Sequence, residues 1–271
     1  MASGSERERP LDVRRAREWL GWHGLGEATP TPLLARRLAV RRRARLAHHV
    51  MLAVLILAAA LVQLHNLVSV TPDGSGRGWP WPLVALTGLV AALLAGRALL
   101  ESWVRRVDRQ AGAALTRRAA HPVQVSWREL LGRPYAACAA GIHAAAFVLA
   151  AGALAIDDTR VRYAAVVLLI ALAGVGVAAA LELRDLLARP VVAEDEVSLT
   201  ADVIMRIEDA HEAVSPGMAW SLPVVLLCGT APAWWSLTSV GLVPLGVAAV
   251  VLVQLRTPGS AAAARRLVGA R

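Results

Sequence analysis

The residues of this chain best suited to chemistry are few and lie far apart. His143 falls midway along an apolar stretch that also holds Cys138, while Gln63, His65 and Asn66 fall in the outer third of another. An ionisable group in such a stretch is a candidate proton relay or substrate contact, because keeping it there is costly. A neutral imidazole costs far less than a charge, however, and one hydrogen bond to a neighbouring helix satisfies it. No Asp or Glu lies deep in an apolar stretch to pair with His143. Gln63, His65 and Asn66 have two readings, a polar vestibule or bonds across a helix bundle. Cys138 and Cys228 both lie in apolar surroundings, with no C-x-x-C or Cys/His cluster, so structural zinc and haem attachment have no support and packing is the ordinary role. All 29 basic residues are Arg. Without Lys there is no phosphate-binding loop of the G-x-x-x-x-G-K-[ST] kind, no Schiff-base lysine and no kinase-type strand lysine. The sequence therefore assigns no catalytic, cofactor-binding or metal-ligating residue and no cofactor, and the expectation is a protein that is not an enzyme.

Hydropathy sets the elements that must carry these residues. Of the 271 residues 56% are hydrophobic and only 4% aromatic. The apolar ones fall in runs suited to a hydrocarbon core of about 30 Å, which a helix crosses in roughly 20 residues. Six spans are expected, at 49–70, 80–100, 135–156, 163–183, 218–237 and 239–255. The fold class that follows is an all-α integral membrane protein: six transmembrane helices as three hairpins, with small cytoplasmic amphipathic helices. Threaded with the N-terminus inside, this map puts 26 of the 29 Arg in the cytoplasm and only Arg77, Arg160 and Arg162 outside. That is the positive-inside asymmetry. It predicts a multi-pass protein of the bacterial cytoplasmic membrane with both chain ends cytoplasmic.

The expected organisation is a basic N-terminal arm at 1–47, a membrane domain at 48–256 with cytoplasmic loops 101–134 and 184–217, and a basic tail at 257–271. The charged stretch ahead of the first apolar run is long for a signal peptide, so that run reads as a retained anchor. Trp79, Trp81, Trp234 and Trp235 mark outer boundaries, since indole rings prefer the head-group level. Pro223, Pro232 and Pro244 fall in the last two spans, with a re-entrant pair as the alternative. The all-basic tail after Leu255 argues for full crossing. The first, third and fifth spans start 86 and 83 residues apart, a period that repeated hairpins would give. In the third span, Ala137, Gly141 and Ala145 form a small-residue ladder expected to face the bundle centre, with a dimer interface as the rival reading.

The net charge of +9 is unevenly divided. Residues 1–47 carry net +6, residues 101–134 and 256–271 each carry +4, and residues 182–213 carry −6. Topogenic arginines thus account for the high pI, and nucleic acid is not an expected partner. The expected partners are the lipid bilayer, with anionic lipids at Arg36, Arg37, Arg41, Arg42, Arg43 and Arg45, and a protein at the acidic segment Glu194–Glu212. Within that segment Leu199, Val203, Ile207, Ala210 and Val214 recur at three to four residues, forming one apolar seam. Its charge opposes lying on an anionic leaflet, so the helix is expected to dock on the basic arm and the 101–134 loop as a small cytoplasmic cap.

Arg189-Pro190-Val191 leading into the acidic stretch and the helix from Leu199 resembles multi-pass membrane proteins of high-GC bacteria. The likeness covers about thirty residues. It implies a membrane location and no particular activity. The functional expectation is a scaffold or regulatory subunit with a cytoplasmic cap; the alternative is a transporter or permease-like subunit dependent on a partner or gradient.

Overall fold

The computed structural model describes residues 10–68, 81–114, 126–189 and 196–269, and every regular element among them is an α-helix. In chain order these are α1 (Pro10–Trp22), α2 (Pro32–Val68), α3 (Trp81–Ala114), α4 (Trp127–Leu131), α5 (Arg133–Ala153), α6 (Thr159–Ala188), α7 (Glu196–Ala213), α8 (Gly217–Leu227), α9 (Ala233–Arg256) and α10 (Ser260–Gly269). Helices α2, α3, α5, α6 and α9 are each long and apolar enough to cross a membrane. The chain is a multi-pass integral membrane protein.

Three of these helices are longer than a bilayer needs. With 37, 34 and 30 residues in α2, α3 and α6, and about 1.5 Å of rise per residue, they run for roughly 45–55 Å. Their surplus length is arginine-rich and stands together at one end of the bundle. α3 continues helically past residue 100 to Ala114, as the three- and four-residue spacing of Trp103, Val104, Val107, Ala111 and Ala114 predicts, and α6 runs past its expected end at 183 to Ala188. Val107, expected on an apolar helical seam there, is buried. Ala111 and Ala114 of that seam lie outside the described side chains.

Local chemistry explains the starts and stops. Asp158 caps α6, its carboxylate accepting from the backbone N–H of Arg160 at 2.7 Å and of Val161 at 3.4 Å. Gly132, at φ 70°, breaks the chain between α4 and α5, and Pro134 follows in the first turn of α5.

The last two expected spans need correction. In place of one helix over 218–237, α8 stops after 11 residues at Leu227. Gly229, at φ 76°, and Pro232 separate it from α9, which starts at Ala233. Trp234 and Trp235 thus open α9 instead of closing the preceding span, and α9 takes 233–237 from that span, reaching 24 residues. Pro223 and Pro244 lie within α8 and α9 without ending them. An 11-residue helix in this arm has no counterpart in α2 or α5, which ends the likeness among the three hairpins.

The apolar core is centred on α6 and α8. Leu168, Leu172, Leu222 and Leu226 are essentially inaccessible, packed with Leu55 of α2, Leu86 of α3 and Ala146 and Ala150 of α5. The small-residue ladder of α5 does not take part. Ala137, Gly141 and Ala145 are exposed, and a Cβ added at Gly141 would meet nothing within 4 Å. The buried face of α5 is Ala139, Ile142, Ala146, Leu149, Ala150 and Ala153. Helical phase decides this: a hydrophobic face with Ile142 and Leu149 wins the core over an all-small one, since it buries more apolar area.

Small residues do allow close approach elsewhere. The ring of Trp220 on α8 lies against Gly246 of α9 so closely that a Cβ at 246 would sit 2.4 Å from Cε3. Gly246→Ala is expected to lower stability by about 1–3 kcal/mol through overpacking. Thermal unfolding in detergent reads this as a lower midpoint, and adding Trp220→Leu should relieve it. An unchanged midpoint in the single variant would refute this packing of α8 on α9.

Candidate functional site

Arg37, Arg41 and Arg45 recur every four residues, so one face of α2 carries three guanidiniums in a column. Carboxylates of α3 and α7 meet them. Arg37 donates from Nε to Asp108 Oδ1 at 3.0 Å and from Nη2 to Asp202 Oδ1 at 2.6 Å. Arg41 holds both oxygens of Asp108, at 3.0 and 2.7 Å, and turns its Nε to Asp209 at 2.8 Å. Arg189, just past α6, is a third guanidinium on Asp108. Arg206 donates to Asp202 at 2.9 Å and to the Arg189 carbonyl at 2.8 Å. Arg45 reaches Glu208 at 3.0 Å. None of Arg37, Arg41, Asp108, Asp202 and Arg206 is more than 4% exposed.

Burial of this degree sets the electrostatics. It would push the Asp108 carboxyl up, but Arg41 and Arg37, with Arg189 beside them, outweigh it and hold Asp108 below the usual carboxylate range. Burial likewise opposes the charge on Arg41, and Asp209 and Asp108 overcome it, raising Arg41 above an ordinary guanidinium. At Arg189 burial wins over Asp108 and Asp209, and its basicity is lowered. Charged pairs of this kind gain little over a well-packed apolar substitute, yet they are costly to break singly. Their structural effect is to fix where α7 lies against α2 and α3.

Helix α7 is accordingly buried on two sides. Val203, Ile204, Ile207 and Ala210 pack on Leu130 and Leu131 of α4, Tyr135 of α5, Leu186 of α6 and Ala264 of α10. Asp202 and Arg206 face the arginine column. Tyr135 adds a hydrogen bond from its hydroxyl to the His211 carbonyl at 3.0 Å. The termini close over the same helix. His23, after α1, contacts Glu208 at 3.1 Å, and Arg265 of α10 donates to the His23 carbonyl at 3.1 Å.

A second cluster stands where α7 gives way to α8. Arg97 of α3 donates to Glu101 at 2.8 Å, to Glu182 of α6 at 3.3 Å and to the Ala213 carbonyl at 2.9 Å. The last bond satisfies a carbonyl freed by the end of α7, which explains how the break at Val214-Ser215-Pro216 is tolerated next to an apolar core. A cleft between the two clusters is lined by side chains that include Arg45, His48, Arg105, Glu182, Asp185 and Glu212. It holds about 90 Å³ of free volume, well below the roughly 300–1,000 Å³ of ordinary small-molecule sites. Burial, reinforced by Arg97, pushes His48 toward its neutral form at the edge of this cleft. Among the described residues no group of three or more His, Cys, Asp or Glu is arranged to hold a metal ion.

His143, the most central candidate in the sequence, lies away from this pole. It lies on the flank of α5, half-buried, with Phe147 as its ring neighbour. Its Nε2 is buried without a partner among the described residues. The side chains of Gln63, His65 and Asn66 lie outside the described residues, as do Glu194 and Asp195. Of the six arginines expected to meet lipid, Arg37, Arg41, Arg43 and Arg45 are ion-paired within the chain, Arg43 to Asp12 of α1 at 3.2 Å. In the acidic segment Asp202, Glu208 and Asp209 are likewise engaged by α2.

Sequence reasoning missed Asp108, Asp202 and Arg97 as keystones. One signal was available: the four-residue spacing of Arg37, Arg41 and Arg45 marks a single helix face, and Asp202 and Asp209, two turns apart, mark another.

A bundle of long apolar helices with an ion-paired arginine pole defines a class, the multi-pass integral membrane protein. No family model, curated protein or solved structure matches the chain.

Proposed function

We propose that this protein is a non-enzymatic scaffold or regulatory subunit of the bacterial cytoplasmic membrane, with the arginine-rich pole as a preformed cytoplasmic cap. The observation that carries this reading is the closure of the pole on itself. α7 is clamped by ion pairs from α2 and by the hydrogen bond from Arg97 of α3 to its Ala213 carbonyl, and α1, α4 and α10 complete the shell. Such a cap offers a rigid surface for a partner, while the cleft beside it is too small for an ordinary organic substrate. The chain crosses the bilayer six times in this reading, with α8 and residues 228–232 making the fifth passage. Its ends then lie on the same side, in keeping with the contact between Arg265 and His23.

One observation favours transport as the second reading. The α7–α8–α9 arm is broken twice, and Arg97 and Glu182 sit at the first break. Discontinuous helices beside buried charge are a feature of transporter binding sites.

Purification from native membranes in mild detergent, with partner identification, separates the two. A stoichiometric regulator or envelope enzyme, together with labelling of both chain ends only from the cytoplasmic side, is the expected result. A co-purifying ATPase, or solute flux in proteoliposomes, would replace it with transport. An end labelled from outside would overturn the orientation.

A further inference from the structure

Most of the arginines on α2 that looked suited to anionic lipid are spent on carboxylates of the chain, yet a different surface is left facing outward at the membrane boundary. Helix α1 buries Ala16 and Leu20 and packs on α2. On a 3.6-residue helix, Leu11, Arg14, Arg15, Glu18 and Trp22 share the opposite face. All five are exposed, Trp22 by 86% and Leu11 by 58%. A tryptophan so open to solvent is unusual for a soluble surface and ordinary for a ring at the head-group level.

The depth of α1 follows from its tethers. Near its start Asp12 is bonded to Arg43, and just past its end His23 contacts Glu208, the carboxylate that also holds Arg45. Both ends are therefore fixed near the same level of α2, so α1 lies across α2. Arg43 and Arg45 precede Val50, the first apolar residue of the expected first span, by seven and five residues. At about 1.5 Å per residue that is roughly 8–10 Å from the apolar run. The head-group layer is about 5–8 Å thick on each side, and an indole bridges the remainder.

Charge favours one occupant. Arg14 shares its guanidinium with Glu18 at 3.2 Å, with both side chains largely in solvent. Arg15 lies near the centre of the face and Arg17 on its flank, both exposed. The surface is thus cationic, with apolar residues at both of its ends. A protein partner fits less well, since Leu11 and Trp22 are too widely separated to form a continuous apolar contact.

We propose that the exposed face of α1 is a docking surface for the anionic headgroups of the bilayer, seated by Trp22 and Leu11 and charged by Arg14 and Arg15. It requires only that the chain spans a membrane. It holds for either orientation of the pole, so its failure would leave the scaffold reading untouched.

The test uses full-length protein with Cys138→Ala and Cys228→Ala, spin-labelled through Gly21→Cys, where a new Cβ meets nothing within 4 Å. The labelled protein is placed in nanodiscs of phosphatidylcholine alone or with phosphatidylglycerol. Accessibility of the label to a water-soluble nickel chelate is expected to fall severalfold when phosphatidylglycerol is present. Arg14→Gln with Arg15→Gln should abolish that fall, each guanidinium contributing about a fivefold preference. Trp22→Ala should raise accessibility in both lipids. These are exposed side chains, so gel filtration should show the folded protein throughout. Equal accessibility in the two lipid compositions, or a fall that survives loss of both arginines, would overturn the proposal.

Discussion

Asp108→Ala will be the most damaging single change outside the apolar core. It leaves Arg37, Arg41 and Arg189 facing one another around an empty acceptor position, in a region where Arg37 and Arg41 are each only 4% exposed. Removing one partner from a buried ionic cluster costs about 3–5 kcal/mol, because the surviving charges keep their desolvation penalty and lose their compensation. Asp108→Asn should cost less than Asp108→Ala. It retains one acceptor and the shape of the side chain, but no charge. Thermal unfolding in detergent, followed by the loss of monodisperse protein, orders the three as wild type, Asn, Ala. An Asp108→Ala midpoint within a degree of wild type would show that the arginines find other partners and that the network is not as described.

The same residue predicts an acid limit. Its folded-state carboxyl is held below the ordinary range, burial being outweighed by Arg41, Arg37 and Arg189. A depressed carboxyl contributes stability that is fully present above the unfolded value, about 3.9, and is lost as pH falls through the lower folded value. Wild type should therefore lose stability steeply below about pH 4. Asp108→Asn should lack that share of the slope while being weaker at neutral pH. Equal slopes for the two proteins between pH 5 and pH 3 would count against Asp108 as the group responsible.

The apolar helices were legible in the sequence because hydropathy over some twenty residues is a local property. The runs around Leu55, Leu93, Ala146, Leu172 and Val247 each declare themselves without reference to any other part of the chain. The break after α8 was partly legible. Pro223 and Pro232 pointed to irregularity, but Trp234 and Trp235 were read as the end of one helix when they begin the next. Both positions satisfy the preference of indole for the interface, so that preference could not decide between them.

The pole was not legible in the same way. The bonds from α2 to α3 and α7 join residues 67 to 168 positions apart, and single-sequence patterning carries no information about which of many arginines meets which acid. A helix with an apolar seam on one side and charges on the other reads as a surface helix. α7 has that pattern and is nevertheless the centre of the pole, because α2 supplies counter-charges for its polar side as α4, α5, α6 and α10 supply apolar cover for its seam. Amphipathicity thus distinguished the two faces of α7 correctly and left open what lay against each. The arithmetic of charge offered the stronger hint: a net −6 segment between segments of +6 and +4 is easily accommodated inside a basic shell.

Arg97 joins this pole to the membrane core, and its loss is the second large effect expected. Arg97→Met keeps the length and apolar bulk of the side chain, so packing beside Met218 is largely preserved. What disappears is the cation between Glu101 and Glu182 and the donor to the Ala213 carbonyl at the end of α7. Glu101 then keeps only Arg105, at 3.3 Å, and Glu182 is left facing it without a cation of its own, so a cost of about 3–5 kcal/mol is again expected. A structural hinge and a mere ion pair make different predictions for the partner change. If the role of Arg97 is only to neutralise Glu182, adding Glu182→Leu should recover nearly all of the loss. With the Ala213 carbonyl also dependent on Arg97, recovery stops short by about 1–3 kcal/mol, the usual penalty of an unmatched buried acceptor. Arg97→Lys separates the terms from the other direction: one ammonium holds a carboxylate but lacks the fork that reaches Glu101, Glu182 and Ala213 together. The expected order of stability is wild type, Arg97→Lys, the Arg97→Met and Glu182→Leu pair, then Arg97→Met alone. Full recovery in the double variant would remove the carbonyl bond from the account of how α7 passes into α8.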